Sequence, residues 1–341
     1  MMDKVICFGE IMGRLCPPGY KKVLQATSFD VTFAGGEANV AVSLANYGVQ
    51  SSFVSKVPDN DLGILVKRIL KSYDVAVDQL IFGGDRLGMY YVEKGASQRP
   101  SKVIYDRKYS SISRADRNDF DWDVILKDAT WFHTTGITPA LSDACIDITL
   151  DALKKCREKG ITVSCDLNYR KNLWDSKKAK SVMTELMAYV DVCIANEEDA
   201  EKVLGIRASE TDVTAGELNI AGYSEVAKEI EQQYECKTVA ITLRESYSAS
   251  ENGWSALLYR DGHSYFSKKY DIQLIDRVGG GDSFVGALLY ALIERSEPQD
   301  QIEFAVAASC LKHTIEGDFN QITVKEAETL MNGDGSGRVQ R

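Results

Sequence analysis

The chain has little of what would tie it to a metal centre, a membrane or a nucleic acid. Of its three histidines, His133 and His263 have no metal-spaced partners and read as structural, while His313 suits a packing role or a place beside a ligand equally. Eight cysteines contain no Cys-x-x-Cys pair, which removes the common zinc and redox motifs. No apolar run approaches the ~20 residues of a membrane span. The stretch Met1 to Gly9 is too short for a signal peptide. Basic residues are in deficit, with 40 Lys and Arg against 50 Asp and Glu and a formal net charge of −10. Broad nucleic-acid binding wants the opposite surface. The P-loop pattern Gly-x-x-x-x-Gly-Lys-Ser/Thr is missing, no Gly-x-Gly-x-x-Gly follows a strand, and the protein-kinase motif set is absent.

What is present is the balance of an ordinary globular protein, 44% apolar and 26% charged residues in a length of 341. Short β-branched apolar runs alternate with amphipathic stretches. Val5 to Phe8, Ser52 to Val57, Thr130 to His133, Ile161 to Asp166, Val190 to Ala195 and Val239 to Leu243 read as buried strands. Ala38 to Tyr47, Leu62 to Tyr73, Ser142 to Lys159, Ser176 to Tyr189 and Ser224 to Tyr234 read as helices. The alternation predicts an α/β fold, a mostly parallel sheet with helices on both faces. Ligands of such sheets lie at the carboxyl ends of the strands. Polar residues collect there: Asp166 and Asn168, Asn196 and Glu197, Arg244 and Glu245.

Two stretches, about 13–33 and 86–113, interrupt the alternation and have strand character without helices, which predicts a small β-sheet lid beside the main sheet. We expect one α/β domain over 1–331 and a disordered tail over 332–341. The cysteines sit in apolar runs, as reduced buried thiols of a cytoplasmic protein would. Trp122, Trp131 and Trp174 read as core or interface residues.

The strongest local signal is Asp276-Arg-Val-Gly-Gly-Gly-Asp282, followed at once by an apolar helix from Phe284 to Ile293. Gly279, Gly280 and Gly281 let backbone N–H groups approach a ligand, and the helix start adds partial positive charge, so an anion is stabilised there. An aspartate beside an anion site suits a base that takes the proton of a hydroxyl attacking a phosphoryl group. The same pattern is equally that of a glycine turn with Asp282 capping the helix. A second signal, Ala34-Gly-Gly-Glu-Ala-Asn39, leads into another helix and offers Asn39 as donor and acceptor.

Together, Gly35-Gly36-x-x-Asn39 and Gly279-Gly-Gly-Asp282 resemble the two signature regions of the ribokinase-like (PfkB) carbohydrate kinases, in order and separation. The resemblance covers roughly residues 3 to 331. It implies a ribokinase-like fold, ATP and Mg2+ as cofactors, Asp282 as catalytic base, and the glycine loop as anion hole. Arg277 stands where most members have Thr or Pro. Asn196-Glu-Glu-Asp199 resembles the family motif that organises Mg2+ and phosphate indirectly, with Asp199 in place of Glu.

Within the family, Gly9-Glu-Ile-Met-x-Arg14-Leu-x-Pro17, Arg99 to Arg107, Asp166-Leu-Asn-Tyr-Arg170 and Lys312 to Asp318 resemble the 2-keto-3-deoxygluconate kinases. Gly35, Gly36, Asn39, Tyr90, Tyr105, Arg107 and Arg170 would then line the sugar site, with Asn168 between sugar and ATP phosphates. Arg107 and Arg170 suit a carboxylate, since a guanidinium holds one with paired charge-assisted bonds. The nucleotide is expected along Thr242, Arg244 and Ser246 and against Ala308 and Ser309 of the helix Glu303 to His313. The lid would cover the sugar or join two copies in a homo-oligomer. A fructokinase or ribokinase is the neighbouring alternative. A non-catalytic sugar-binding protein is a third reading, which Asp282 argues against.

Overall fold

A computed structural model describes residues 3–207 and 220–333. From residue 334 on, the expected tail lies outside the described residues. The main sheet has ten strands. In chain order its first members are β1 (Lys4–Phe8), β4 (Gln50–Val57) and β5 (Leu80–Phe82). Then come β8 (Trp131–Thr135), β9 (Thr162–Asp166), β10 (Val192–Asn196) and β11 (Thr238–Ser246). These pair in parallel in the order β11-β10-β9-β8-β1-β4-β5. Beyond β11 the sheet turns antiparallel through β12 (Glu251–Arg260), β13 (His263–Phe266) and β14 (Tyr270–Gln273). The parallel part follows the expected strands to within three residues at each end, and adds β5, which was not among them. The antiparallel extension had no counterpart in the sequence reading.

Alternation along each strand feeds two cores. In β1, Val5 and Cys7 join one apolar cluster while Ile6 and Phe8 join the other. The first is covered by helices α1 (Gly36–Asn46), α2 (Asp61–Ser72), α6 (Gly280–Glu294), α7 (Pro298–Lys312) and α8 (Val324–Met331). The second is covered by α3 (Asp143–Lys159), α4 (Ser176–Met187) and α5 (Ile220–Tyr234). Local chemistry sets several of their limits. Asn60 and Ser142 cap α2 and α3 by accepting first-turn N–H groups, and Gly160, at φ 68°, ends α3 in the left-handed region. All eight cysteines are buried and unbridged, as expected.

The two interrupting stretches form a separate four-stranded sheet of β2 (Met12–Cys16), β3 (Asp30–Ala34), β6 (Gly88–Glu93) and β7 (Lys102–Asp106), ordered β3-β2-β6-β7. Its strand β2 follows β1 after three residues, and β3 runs directly into α1. The small sheet is thereby attached at the carboxyl edge of the main one, where β1, β8, β9, β10 and β11 all end.

Candidate active site

Three consecutive glycines start α6 for three different reasons. Gly279 sits at φ 79°, and a side chain there would collide with the backbone carbonyl of Asp318. Gly280 lies against the imidazole of His313. Gly281 meets nothing within 4 Å and lines an open cleft. The left-handed turn at Gly279 makes that residue the N-cap, so the helix begins at Gly280. Asp282 is therefore not the cap that one sequence reading allowed; it is the third helical residue. The Gly280 N–H turns back to the Arg277 carbonyl at 3.4 Å, whereas those of Gly281 and Asp282 have no intrahelical acceptor, which leaves them for an anion.

The Asp282 carboxylate is held from α1. Asn39 Nδ2 donates to its Oδ2 at 2.5 Å, and Asn39 Oδ1 accepts the Gly35 N–H at 3.3 Å. Gly35 has no room for a side chain, because the Glu10 carbonyl is packed against it. Gly36 opens toward Asp282 and Asn168. Burial pushes the Asp282 carboxyl up to about 6; the Asn39 bond and the charges of Arg170 and Lys312 pull the other way, and Asp318 adds to the rise.

A small pocket in front of Asp282 is lined by Gly35, Gly36, Asn39, Tyr90, Tyr105, Arg107 and Arg170, together with Glu10 and Asp318. All seven residues assigned to the sugar site from the sequence thus meet in one place. Arg107 is anchored: its Nε donates to Glu10 Oε2 at 2.7 Å, its Nη2 donates to the same oxygen, and Ser110 donates to Glu10 Oε1. That uses the side fork of the guanidinium and leaves the Nη1 edge. The Arg107 group also lies 5.4 Å from the Tyr105 ring centroid, and Tyr90 donates to Asp318 Oδ2 at 2.7 Å.

Beyond Asp282 a cleft of about 890 Å³ runs along the ends of β9, β10 and β11. Asp166, Asn168, Arg170, Asn196, Asp199, Thr242, Arg244, Trp254 and Arg277 line it with Gly279 and Gly281. Arg170, Val278 and Asp282 line both spaces, so cleft and pocket meet at the aspartate. Asn168 takes a left-handed backbone, φ 40°, and donates to Asp166 Oδ2 at 3.0 Å. Asn196 Oδ1 accepts the N–H groups of Glu198 and Asp199, and Asp199 Oδ1 accepts the Tyr169 N–H at 3.0 Å. Burial raises Asp199 to about 6 and Asp166 well above its ordinary value, with neighbouring carboxylates adding to the latter.

Three residues assigned to the nucleotide from the sequence fall elsewhere. Ala308 and Ser309 are fully buried in α7, where Ser309 Oγ accepts the Trp254 indole N–H at 2.8 Å. Trp254, from the unforeseen strand β12, lies between them and the cleft residue Arg244. Ser246 Oγ accepts from Asn252 Nδ2 at 3.0 Å and is not among the cleft residues. The sequence reading also missed Glu10 as the anchor of Arg107, and Trp254, over whose ring Arg244 lies at 4.8 Å.

A buried carboxyl between a small polar pocket and a glycine-rich helix start suits a small-molecule phosphotransferase. The chain belongs to the pfkB family of carbohydrate kinases, whose family model matches residues 2–322. A 2-dehydro-3-deoxygalactonokinase of Haloferax volcanii is 33% identical over 337 residues, 99% of each chain. The solved structure of a 2-dehydro-3-deoxygluconokinase from Thermotoga maritima is 52% identical, with a TM-score of 0.94 over 98% of this chain and 99% of that one. A PfkB family carbohydrate kinase from Listeria grayi follows at 32% identity and TM-score 0.90, covering 97% of this chain and all of its own.

Two predictions follow from this geometry. Asp282→Asn should lower kcat by ~10² to 10⁴, and wild-type kcat/KM should fall as pH drops below about 6, where the base is protonated. The same carboxyl is raised from 3.8 to about 6 on folding, so its contribution to stability is present below its unfolded value and lost as pH rises through about 6. Asp282→Asn should therefore raise Tm near pH 8 and leave it unchanged near pH 4, read by thermal melts at both. Turnover within threefold of wild type would remove Asp282 as base. The second concerns the loop. Gly281→Ala should keep the wild-type Tm and lose most of its kcat/KM for ATP, because its methyl group enters the cleft. Gly279→Ala should instead lower Tm, by strain at positive φ and collision with Asp318.

Proposed function

We propose that this carbohydrate kinase transfers the γ-phosphoryl group of Mg-ATP to the terminal hydroxyl of 2-keto-3-deoxygluconate, giving 2-keto-3-deoxy-6-phosphogluconate. The observation that carries this reading is the meeting of Arg107 and Arg170 with Asp282 around one small pocket. A neutral sugar needs no guanidinium pair, whereas a sugar acid presents a carboxylate that the free edge of Arg107 suits. The two relatives named for 2-dehydro-3-deoxy sugar acids support it further.

In this mechanism the sugar lies under the small sheet with its terminal hydroxyl at Asp282. Asp282 accepts the hydroxyl proton as that oxygen bonds to the γ-phosphorus and the bond to the β-phosphate oxygen breaks. A carboxyl near 6 is ionised at neutral pH and more basic than a solvated one. The first-turn N–H groups of α6 stabilise the charge that develops. Arg170, Arg244 and Arg277 hold the phosphates in the larger cleft, with Asn168 between phosphates and sugar. The residues there suit Mg2+: Asp166 and Asp199 are buried carboxylates, and the charge of Asp199 adds to the rise of Asp166, a repulsion that a divalent cation would relieve. When bound, that ion neutralises charge on the β- and γ-phosphates, with Asn196 and Asp199 acting on it indirectly. The small sheet acts as the lid that keeps water from the transfer. Its exposed apolar residues Leu24, Val31, Val103 and Ile104 support a second copy packing on it.

A coupled ADP-release assay over sugars and sugar acids, with both C4 epimers of the acid, tests the reading. The acid should exceed fructose and ribose in kcat/KM by at least ~10-fold. Because Arg107→Ala strands the buried Glu10 carboxylate, the informative variant is Arg107→Met combined with Glu10→Gln. It should lose ~10- to 150-fold in kcat/KM for the acid and keep its activity on neutral sugars. Equal loss on both, or a wild type that prefers fructose, would replace the sugar acid with a neutral sugar.

A further inference from the structure

Beneath the glycine loop lies a set of buried charges of which only Asp318 lines the small pocket. Lys312, the last residue of α7, is fully buried, and its ammonium donates to the carbonyl of Val278, the residue before Gly279. Three carboxylates lie within electrostatic reach of it, Asp276, Asp318 and, at the site itself, Asp282. Asp276 accepts the N–H groups of Val278 and Gly317, each at 3.1 Å, and pairs with Arg14 at 2.5 Å. Asp318 pairs with the other terminal nitrogen of Arg14 and accepts the Tyr90 hydroxyl. Two cations and two carboxylates balance, and Lys312 also acts across space on Asp282.

A carbonyl can be satisfied by a neutral donor or a water, so a buried ammonium at Val278 is more than hydrogen bonding requires. Its placement has two consequences. In a planar trans peptide the carbonyl of Val278 and the N–H of Gly279 point to opposite sides, so anchoring one orients the other. Removing the charge would also leave the set one unit negative, directly under the site where transfer builds negative charge. Burial opposes the charged state of Lys312, while Asp276, Asp318 and Asp282 favour it.

We propose that Lys312 is a positioning residue for phosphoryl transfer, a fixed internal cation that orients the anion loop and offsets the charge of the reacting group. This rests on the kinase reading of the site and extends it to a side chain outside both pockets. The test compares three variants, each assayed with whichever sugar or sugar acid the wild type phosphorylates, so an error in substrate choice does not bear on it. Lys312→Met, of similar length and no charge, should lower kcat by ~10- to 100-fold while KM for the sugar stays within about threefold. Lys312→Gln, which keeps a donor without the charge, should fall as far. Lys312→Ala should recover at least fivefold in kcat with methylammonium chloride and gain nothing from tetramethylammonium at equal ionic strength. A folded Met or Gln variant with kcat within threefold of wild type overturns the proposal, as does an Ala variant that methylammonium does not restore. Should the Met variant not fold, the Gln variant decides.

Discussion

Burial of the Asp282 carboxylate against the positive end of a helix is the interaction around which the site is arranged. Two effects favour its charged form. A helix start is worth ~0.3 to 2 kcal/mol to an anion, and a bond such as that from Asn39 ~1.5 to 3 kcal/mol. Burial nevertheless wins, since the group ends near 6 rather than below its ordinary 3.8. A shift of two units corresponds to about 3 kcal/mol. A carboxylate left in water would be too weak a base, and one stripped of Asn39 and the helix start would stay protonated at neutral pH. The protonation of Asp282 is set by the difference between these opposing effects, which is why the groups that act on it come from α1, α7 and the segments after β9 and α7 at once.

An acidic chain that handles anionic ligands also needs its cations in fixed places. Long-range attraction cannot help a protein of net charge −10. The arginines at the clefts are held by specific partners instead: Arg107 by Glu10 and the Tyr105 ring, Arg170 by the Tyr169 carbonyl at 3.1 Å, Arg244 over Trp254. Ordering them before a ligand arrives removes part of the cost of binding one.

Most of the parallel sheet was legible from local signals, whereas Tyr90, Tyr105, Arg107 and Arg170 were brought to one pocket only by the family resemblance. Apolar runs of strand length alternate with helical spacing, and the paired glycines of Gly35-Gly36 and Gly279 to Gly281 mark close approaches that only the missing side chain allows. The antiparallel edge was not read, although Trp254 to Tyr259 is an apolar run, because β12 has no helix after it to complete the alternation. That omission displaced the nucleotide expectation. Ala308 and Ser309 looked like open room in a bare helix, and the indole of Trp254 packs against Ser309 there. Glu10 was hidden for a different reason. One glutamate after a strand carries no pattern, and its role depends on Arg107, 97 positions later.

The two halves of the site are joined by a short mechanical path. Tyr90, in the sugar pocket, donates to the Asp318 carboxylate, and the backbone of Asp318 is packed so closely against Gly279 that no Cβ fits between them. Gly279 in turn sets the left-handed turn from which α6 and its first-turn N–H groups follow. Arg14, from the small sheet, grips both Asp318 and Asp276 and ties the same path to the lid. Packed interiors pass on displacements of a few tenths of an ångström, since there is no void to absorb them. A sugar that shifts Tyr90 or β2 therefore moves the anion loop as well. Poor fit in the small pocket should accordingly appear in turnover as well as in binding, through a loop that the bound molecule need not touch.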